Sequence, residues 1–243
     1  MRQPKISFVV PVYNKQAFIS DCLSSLLLQT LHNIEIVVVD DKSTDDSLEV
    51  IEYYRKKDKR IKLYKLPKNV GRSEARNYGN ARAKADIICV NDADDKSAFE
   101  RAEVVYDFFK KHAGTDVLYT AFHISDIYGR ILGKVEAVPF DYERVKKDGA
   151  TYMGHSTMAY RKSKVNKIKY TGGQYCKLGL DDWKLQMDMF KAGYKFDFID
   201  SPLVIYRQLS DSIVEIRNAT EVYKAKSNYL ELLKEKDLSK KGC

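Results

Sequence analysis

Uninterrupted apolar runs separated by amphipathic stretches set the plan of the first half of the chain. Ile6–Val12 (ISFVVPV) and Ile34–Val39 (IEIVVV) are continuous apolar runs, the pattern of strands buried on both faces. Ile61–Leu66 and Ile87–Asn91 predict a third and a fourth strand. Between the first two, Phe18, Cys22 and Leu26 recur every four residues with Leu23 and Leu27 beside them, which predicts a helix. Ser43 or Thr44 is placed to cap a second helix bearing Leu48, Ile51 and Tyr54, with Asp46 and Ser47 in its first turn. Gly71 opens a helical segment with Ala75, Tyr78, Gly79 and Ala83, and Ala98–Lys111 is a helix with Val105 and Phe109 inward. Strands alternating with helices at this spacing predict an α/β fold with a mostly parallel, doubly wound sheet. Right-handed crossovers then put the functional loops at the strand C-termini.

From about residue 113 the pattern loosens. Val117–Ile124 and Ile131–Val135 read as strands around a turn at Tyr128–Gly129, and Thr157–Tyr160 as another strand. Asp181–Ala192 is helical, with Trp183, Met187 and Phe190 on one stripe. Phe196–Ile199 and Leu203–Tyr206 read as two short strands. Glu221–Lys236 is a last helix, with Val222, Ala225, Tyr229 and Leu233 on one face. No linker rich in Gly, Ser or Pro interrupts the chain and no repeat is visible, so residues 1–243 are expected to form one domain.

Composition narrows the picture. At 243 residues and 44% apolar, with 17 Tyr and 10 Phe, the chain can bury a sizeable core. No apolar stretch approaches the ~20 residues of a membrane span, and none follows Met1, so a cytoplasmic protein without a signal peptide is expected. Cys22, Cys89, Cys176 and Cys243 lack metal or disulfide spacing and read as thiols, the first two in the core. The net charge of +8 suits nucleic acid, a membrane face or an anionic substrate. The basic residues are nevertheless spread out, with small clusters at Arg55–Arg60 and Lys234–Lys241. Solvated helix faces account for most of them, and the Lys-rich tail leaves a peripheral membrane contact open.

The chemistry gathers where the strands end. PVYN at 11–14, VDD at 39–41 and NDADD at 91–95 all fall at strand C-termini, on one rim of one sheet. The run IICVNDADD carries a buried strand into Asp92, Asp94 and Asp95, and like charges that close must be hydrated or neutralised. Such oxygen clusters suit Mg²⁺ or Mn²⁺, which are held by one or two carboxylates plus substrate phosphates. A solvated acidic turn is the structural alternative. A dinucleotide-binding fold would need a Gly-rich turn after the first strand, and Pro11-Val12-Tyr13-Asn14-Lys15 has no glycine. A nucleotide diphosphate bound through metal on Asp92 and Asp94 meets both observations.

PVYN, VVDD at 38–41, NVGRSEARNYG at 69–79, NDADD and LDDW at 180–183, in this order, resemble the family-2 glycosyltransferases with the GT-A fold. The resemblance spans about residues 5–210. It implies a GT-A sheet with a smaller mixed β region and a C-terminal helix. The nucleotide would sit on residues 1–112, the acceptor on 113–210, and a helical tail would follow at 211–243. By the same resemblance Pro11, Val12, Tyr13, Asn14 and Ala93 belong to the nucleotide-sugar pocket. Asp41 would accept the N–H of an imide-type base, which suits uracil or guanine. Arg76 and Arg72 would lie near the diphosphate, Asp92 at ribose or metal, and Asp94 would be the direct metal ligand. Asp182 matches the catalytic base. Asp181, Trp183, His155 and Arg207 are candidate substrate contacts, the last in the run Y-R-Q-x-S at 206–210, with Ser212 following. Structural alternatives remain: Pro11 as a strand terminator, Asp41 and Asp45 as turn or capping acids, Arg76 as a surface charge, Asp181 and Asp182 as acids at a helix N-terminus. Two departures stand out. Asp181 replaces the Glu that often precedes the base, and Gln208 replaces a His that often contacts metal or diphosphate, so no metal role is carried to Gln208.

The resemblance implies a metal-dependent inverting transfer of a sugar from a nucleotide-diphosphate donor, a UDP-sugar, to a hydroxyl of a glycan or lipid-linked acceptor. A nucleotidyltransferase would also use metal-bound carboxylates, but wants a Gly-rich loop with Arg or Lys where PVYNK stands. A basic nucleic-acid-binding domain would need a basic face with exposed aromatics, and here the rim is acidic.

Overall fold

A computed structural model of the chain describes residues 3–165, 167–209 and 219–239, with side chains in the last helix described from 220 to 232. The first four apolar runs become β1 (Ile6–Val12), β2 (Ile34–Asp40), β3 (Ile61–Lys65) and β4 (Ile87–Val90), joined by α1 (Ile19–Leu27), α2 (Ser47–Lys57) and α3 (Arg72–Arg82). They pair in parallel in the order β3-β2-β1-β4. Alternate residues of one strand go to opposite faces. On β1, Ile6, Phe8, Val10 and Val12 join α1, α2 and α4 (Arg101–Lys111) in one core, while Val9 joins Ala75 and Ala83 beside α3 in another. That is why the strand sequences are apolar throughout.

The sheet does not stop at β4. A two-residue strand, β5 (Lys96–Ser97), precedes α4, and β6 (Val117–Ser125) and β7 (Ile131–Val135) follow it. Next come α5 (Tyr142–Asp148), a 3-10 turn at His155–Thr157, β8 (Ala159–Arg161), α6 (Lys162–Val165), α7 (Gln174–Lys177), α8 (Asp181–Lys191), β9 (Phe196–Arg207) and α9 (Ala219–Ser239). The full order is β3-β2-β1-β4-β8-β6-β9-β5, with β7 on β6. β8 runs antiparallel to both β4 and β6, so the mixed region is continuous with the parallel half. Met187 and Trp183 of α8 pack against Val222, Ala225 and Tyr229 of α9 in a third core.

Three expectations are corrected. Neither Ser43 nor Thr44 caps α2. The helix begins at Ser47, whose N–H donates to Asp45 Oδ1 at 3.0 Å, while Ser43 and Thr44 bond to Asn14. The helix expected from Ala98 begins at Arg101, because Lys96–Ser97 are taken up by pairing with β9. The two short strands expected after Phe196 are one strand. Its register against β6 slips where Thr120 faces Ile199 and Ala121 faces Pro202, so bulged residues, not a loop, break the apolar alternation. The expected positions of Ser210, Ser212 and Cys243, and the side chains of Leu233 and the Lys234–Lys241 cluster, lie outside the described residues.

Candidate functional site

The chain leaves β1 toward β2 on one side and later returns to β4 on the other. The crevice at the carboxyl ends of two such strands is where open α/β sheets bind ligands. Here PVYN leaves β1 and NDADD leaves β4, side by side. Two cavities open from this point. The first, about 400 Å³, is lined by Pro11, Val12, Tyr13, Asp41, Asn69 and Ala93, with Cys176 across from them. The second, about 480 Å³, is lined by Phe122, Met153, His155, Asp182, Tyr206 and Leu209 among others. Lys15, Arg72, Arg76, Asp92 and Asp94 line both. The cavities therefore meet at a seam of two carboxylates and three cations.

Arg76 organises this seam from below. It is 6% exposed, and its guanidinium donates to Asp92 Oδ1 and to Asp181 Oδ2, each at 2.7 Å. Burial alone would lower its pKa, but Asp92 and then Asp181 outweigh that and raise it. Asp92 Oδ2 accepts Ser156 Oγ–H at 3.1 Å and lies 3.5 Å from His155 Nδ1. Burial would raise the Asp92 carboxyl, yet Arg76, followed by His155, holds it well below the usual carboxylate range. Asp94 accepts Lys15 Nζ at 2.7 Å. Asp95 turns inward, where its Oδ1 accepts the Arg207 backbone N–H at 2.9 Å. Burial first, then Asp94 and Asp92, pushes its carboxyl up.

The other predicted residues separate into groups. Pro11, Val12, Tyr13 and Ala93 line the first cavity. Asp41 lines it too, but its two oxygens accept the Val70 and Gly71 N–H groups at 2.7 and 2.8 Å, so it also fixes the entry to α3. Burial pushes its carboxyl up despite those bonds. Asn14 lines neither cavity. At φ 51° it bonds Ser43 and Thr44 and ties the loops after β1 and β2 together. Trp183 is 5% exposed and packs edge-on against Tyr229 of α9, so its role here is in the core, not at the cavity wall. Asp181 is 1% exposed and held by Arg72, Arg76 and Ser73. Asp182, next to it, borders the second cavity and accepts the Trp183 N–H, with no ion pair to it among the described residues. Arg207 lines the same cavity, with its guanidinium on Asp21 Oδ2 at 2.8 Å. His155 shares that cavity and pairs its Nε2 with the Tyr170 hydroxyl.

Two residues were missed. Lys15 was within PVYNK, but a lysine in a loop reads as solvated. Arg101 is fully buried on α4 behind the acidic loop. It donates to Asn91 Oδ1, Ser97 Oγ and the Val90 and Ser156 carbonyls. A charged residue one turn before Val105, on the inward face, was its signal.

For a divalent ion the donors fit in part. Asp94 presents a carboxylate to both cavities, whereas both Asp92 oxygens already have partners. Among the described residues no group of three His, Cys, Asp or Glu side chains could hold an ion by itself. A single carboxylate completed by substrate phosphates is the arrangement that Mg²⁺-type ions commonly use.

A parallel β3-β2-β1-β4 half, an acidic loop at its switch point and mixed strands curling beyond it form the GT-A architecture of glycosyltransferases. The chain belongs to glycosyl transferase family 2, whose sequence profile it matches over residues 7–169. It is 41% identical over 108 residues to an uncharacterized glycosyltransferase of Haemophilus influenzae, a match covering 44% of this chain and 43% of that protein. It is 26% identical over 222 residues to glycosyltransferase GlyG of Streptococcus pneumoniae, covering 86% and 72%. The fold matches S. aureus TarS, solved with UDP-GlcNAc, at a TM-score of 0.68 and 24% identity, covering 85% of this chain and 59% of TarS 1-349. The chain thus spans well under two thirds of some of these relatives.

Proposed function

We propose that this chain is an inverting glycosyltransferase that moves a sugar from a nucleotide-diphosphate donor, a UDP-sugar, to a hydroxyl of a glycan or lipid-linked acceptor. The observation that carries the reading is the charged seam between two cavities. A nucleotide sugar has the same order of parts: a flat base and ribose, a diphosphate, then a sugar. The base and ribose suit the first cavity, where Pro11, Val12 and Tyr13 give apolar wall and Asp41 an acceptor. The diphosphate belongs at the seam, beside Arg72 and Arg76. The sugar and acceptor fall in the second cavity, beside Asp182 and His155. Residues 1–112 accordingly serve the nucleotide and 113–210 mainly the acceptor, with Cys176 crossing that division into the first cavity.

In this reading each residue has a chemical task. Asp182 takes the proton from the attacking acceptor hydroxyl as the new bond forms on the face opposite the leaving group. Asp181 is the wrong acid for that task, since both its oxygens already accept Arg72, Arg76 and Ser73. Arg76 is preorganised on Asp92 and Asp181, so its charge stabilises the leaving diphosphate without reorganising. Asp94 would hold Mn²⁺ or Mg²⁺, which supplies Lewis-acid neutralisation of the diphosphate when bound. Ser156 and His155 keep the Asp92 carboxylate in place.

The test is to incubate the protein and Mn²⁺ with a panel of UDP-sugars and GDP-sugars, with glycan acceptors or with water as the acceptor, and separately with UTP plus sugar phosphates. Release of UDP from a UDP-sugar is the expected result. Pyrophosphate release from UTP would favour a nucleotidyltransferase instead.

A further inference from the structure

Lys15 has no part in the roles assigned so far, yet it occupies the middle of the seam. Its backbone is clamped on both sides. The N–H donates to Ser47 Oγ at 2.7 Å, and the carbonyl accepts the Phe18 and Ile19 N–H groups, each at 2.9 Å. Its ammonium crosses to Asp94 Oδ2 at 2.7 Å and lines both cavities. The two acids of the seam are therefore neutralised by different kinds of cation. Asp92 is gripped by Arg76, a planar fork that is buried and fixed at both ends. Asp94 is held by a point charge on a flexible stem, with 29% of the Lys15 side chain exposed. Two cations cannot share Asp94 without repulsion. A divalent ion arriving there is repelled by the ammonium and competes with it for the carboxylate, and the clamped backbone keeps the ammonium at the seam, where a diphosphate is the other anion within its reach.

On the donor reading above, we infer that Lys15 is a diphosphate-binding residue that also competes with the divalent ion for Asp94. It stands in for the metal's charge when the site holds no ligand and moves to a phosphate oxygen when metal and donor enter. This gives the seam a cation that the protein itself supplies.

Lys15→Met keeps the length of the stem and removes the charge. Two shifts in opposite directions are expected. Mn²⁺ affinity without nucleotide, read by electron paramagnetic resonance of free Mn²⁺, should tighten about two- to fivefold, the size of a partly exposed ion pair. UDP affinity at saturating Mn²⁺, read by calorimetry, should weaken by roughly tenfold, the loss of one charge-assisted hydrogen bond. Lys15→Arg should keep Mn²⁺ affinity near the parent value. Thermal melts of all three proteins verify folding, and a folding defect in Lys15→Met would weaken both ligands together. If Mn²⁺ affinity does not rise in Lys15→Met, or UDP affinity does not fall, the inference is wrong. If the parent protein itself fails to bind UDP with Mn²⁺, the donor reading fails instead.

Discussion

At the scale of residues, adjacent acids in LDDW have opposite surroundings. Asp181 is buried in ion pairs with Arg72 and Arg76, whereas Asp182 borders the second cavity. Asp182→Asn keeps shape and the Trp183 contact but cannot take a proton. Transfer turnover should fall about 10²–10⁴-fold with UDP affinity unchanged, and near-normal turnover would assign the base elsewhere. Asp181→Asn should act on stability, because it removes one of the two buried carboxylate partners of Arg76 while Asp92 keeps the other, at a cost of roughly 1–3 kcal/mol. Urea unfolding of the two variants separates these outcomes. Arg101→Met should cost about 3 kcal/mol, since it takes the Arg101 donor from the buried Val90 and Ser156 carbonyls behind the acidic loop, although Asn91 Oδ1 keeps its bond from Ser97 Oγ. An unchanged urea midpoint would contradict that role. The motif acids and Arg76 were legible because chemistry-bearing residues cluster after apolar strands. Lys15 and Arg101 were not, because a lone cation in a loop or on a helix looks solvated until its partner, dozens of residues or a whole layer away, is placed. Asn14 and Trp183 show the converse. Their motifs are adjacent to the site, but their side chains are taken by Thr44 and by α9.

Elements set the reach of those side chains. α3 carries Arg72 and Arg76 and lies tight against the sheet at Gly79, where an added Cβ would come 2.6 Å from Val9 Cγ1 and 3.2 Å from Val39 Cγ2. Both valines are on buried strands with no room to retreat. Gly79→Ala should therefore lower stability by about 1–3 kcal/mol, more than its gain in helix propensity. It should also weaken UDP binding by lifting Arg76 off Asp92. A melt unchanged from the parent would contradict this packing. The parallel strands and long helices were legible from period alone. The two-residue β5 and the bulged β9 were not, because short pairings and register slips depend on partners remote in sequence rather than on local alternation.

At the scale of the whole molecule, one continuous sheet brings residues from position 11 to position 209 around a single crevice. Its stability should be linked to the charge of that crevice. Asp92 has a depressed folded-state pKa, so its contribution is complete above the unfolded carboxyl value near pH 4 and is lost as pH falls below it. Urea midpoints measured from pH 6 to pH 2 should begin to drop at about pH 4, and Asp92→Asn should shrink that drop. An equal drop in both proteins would place the acid sensitivity elsewhere. On the proposed reading Asp94 would hold the divalent ion on which nucleotide-diphosphate binding at the seam depends. Calorimetric titration of UDP into the parent protein and Asp94→Asn, with and without Mn²⁺, tests it most directly. Mn²⁺-dependent UDP binding is expected in the parent, with most of it lost in a folded Asp94→Asn; equal UDP affinity in the two proteins in Mn²⁺ would contradict the metal role of Asp94.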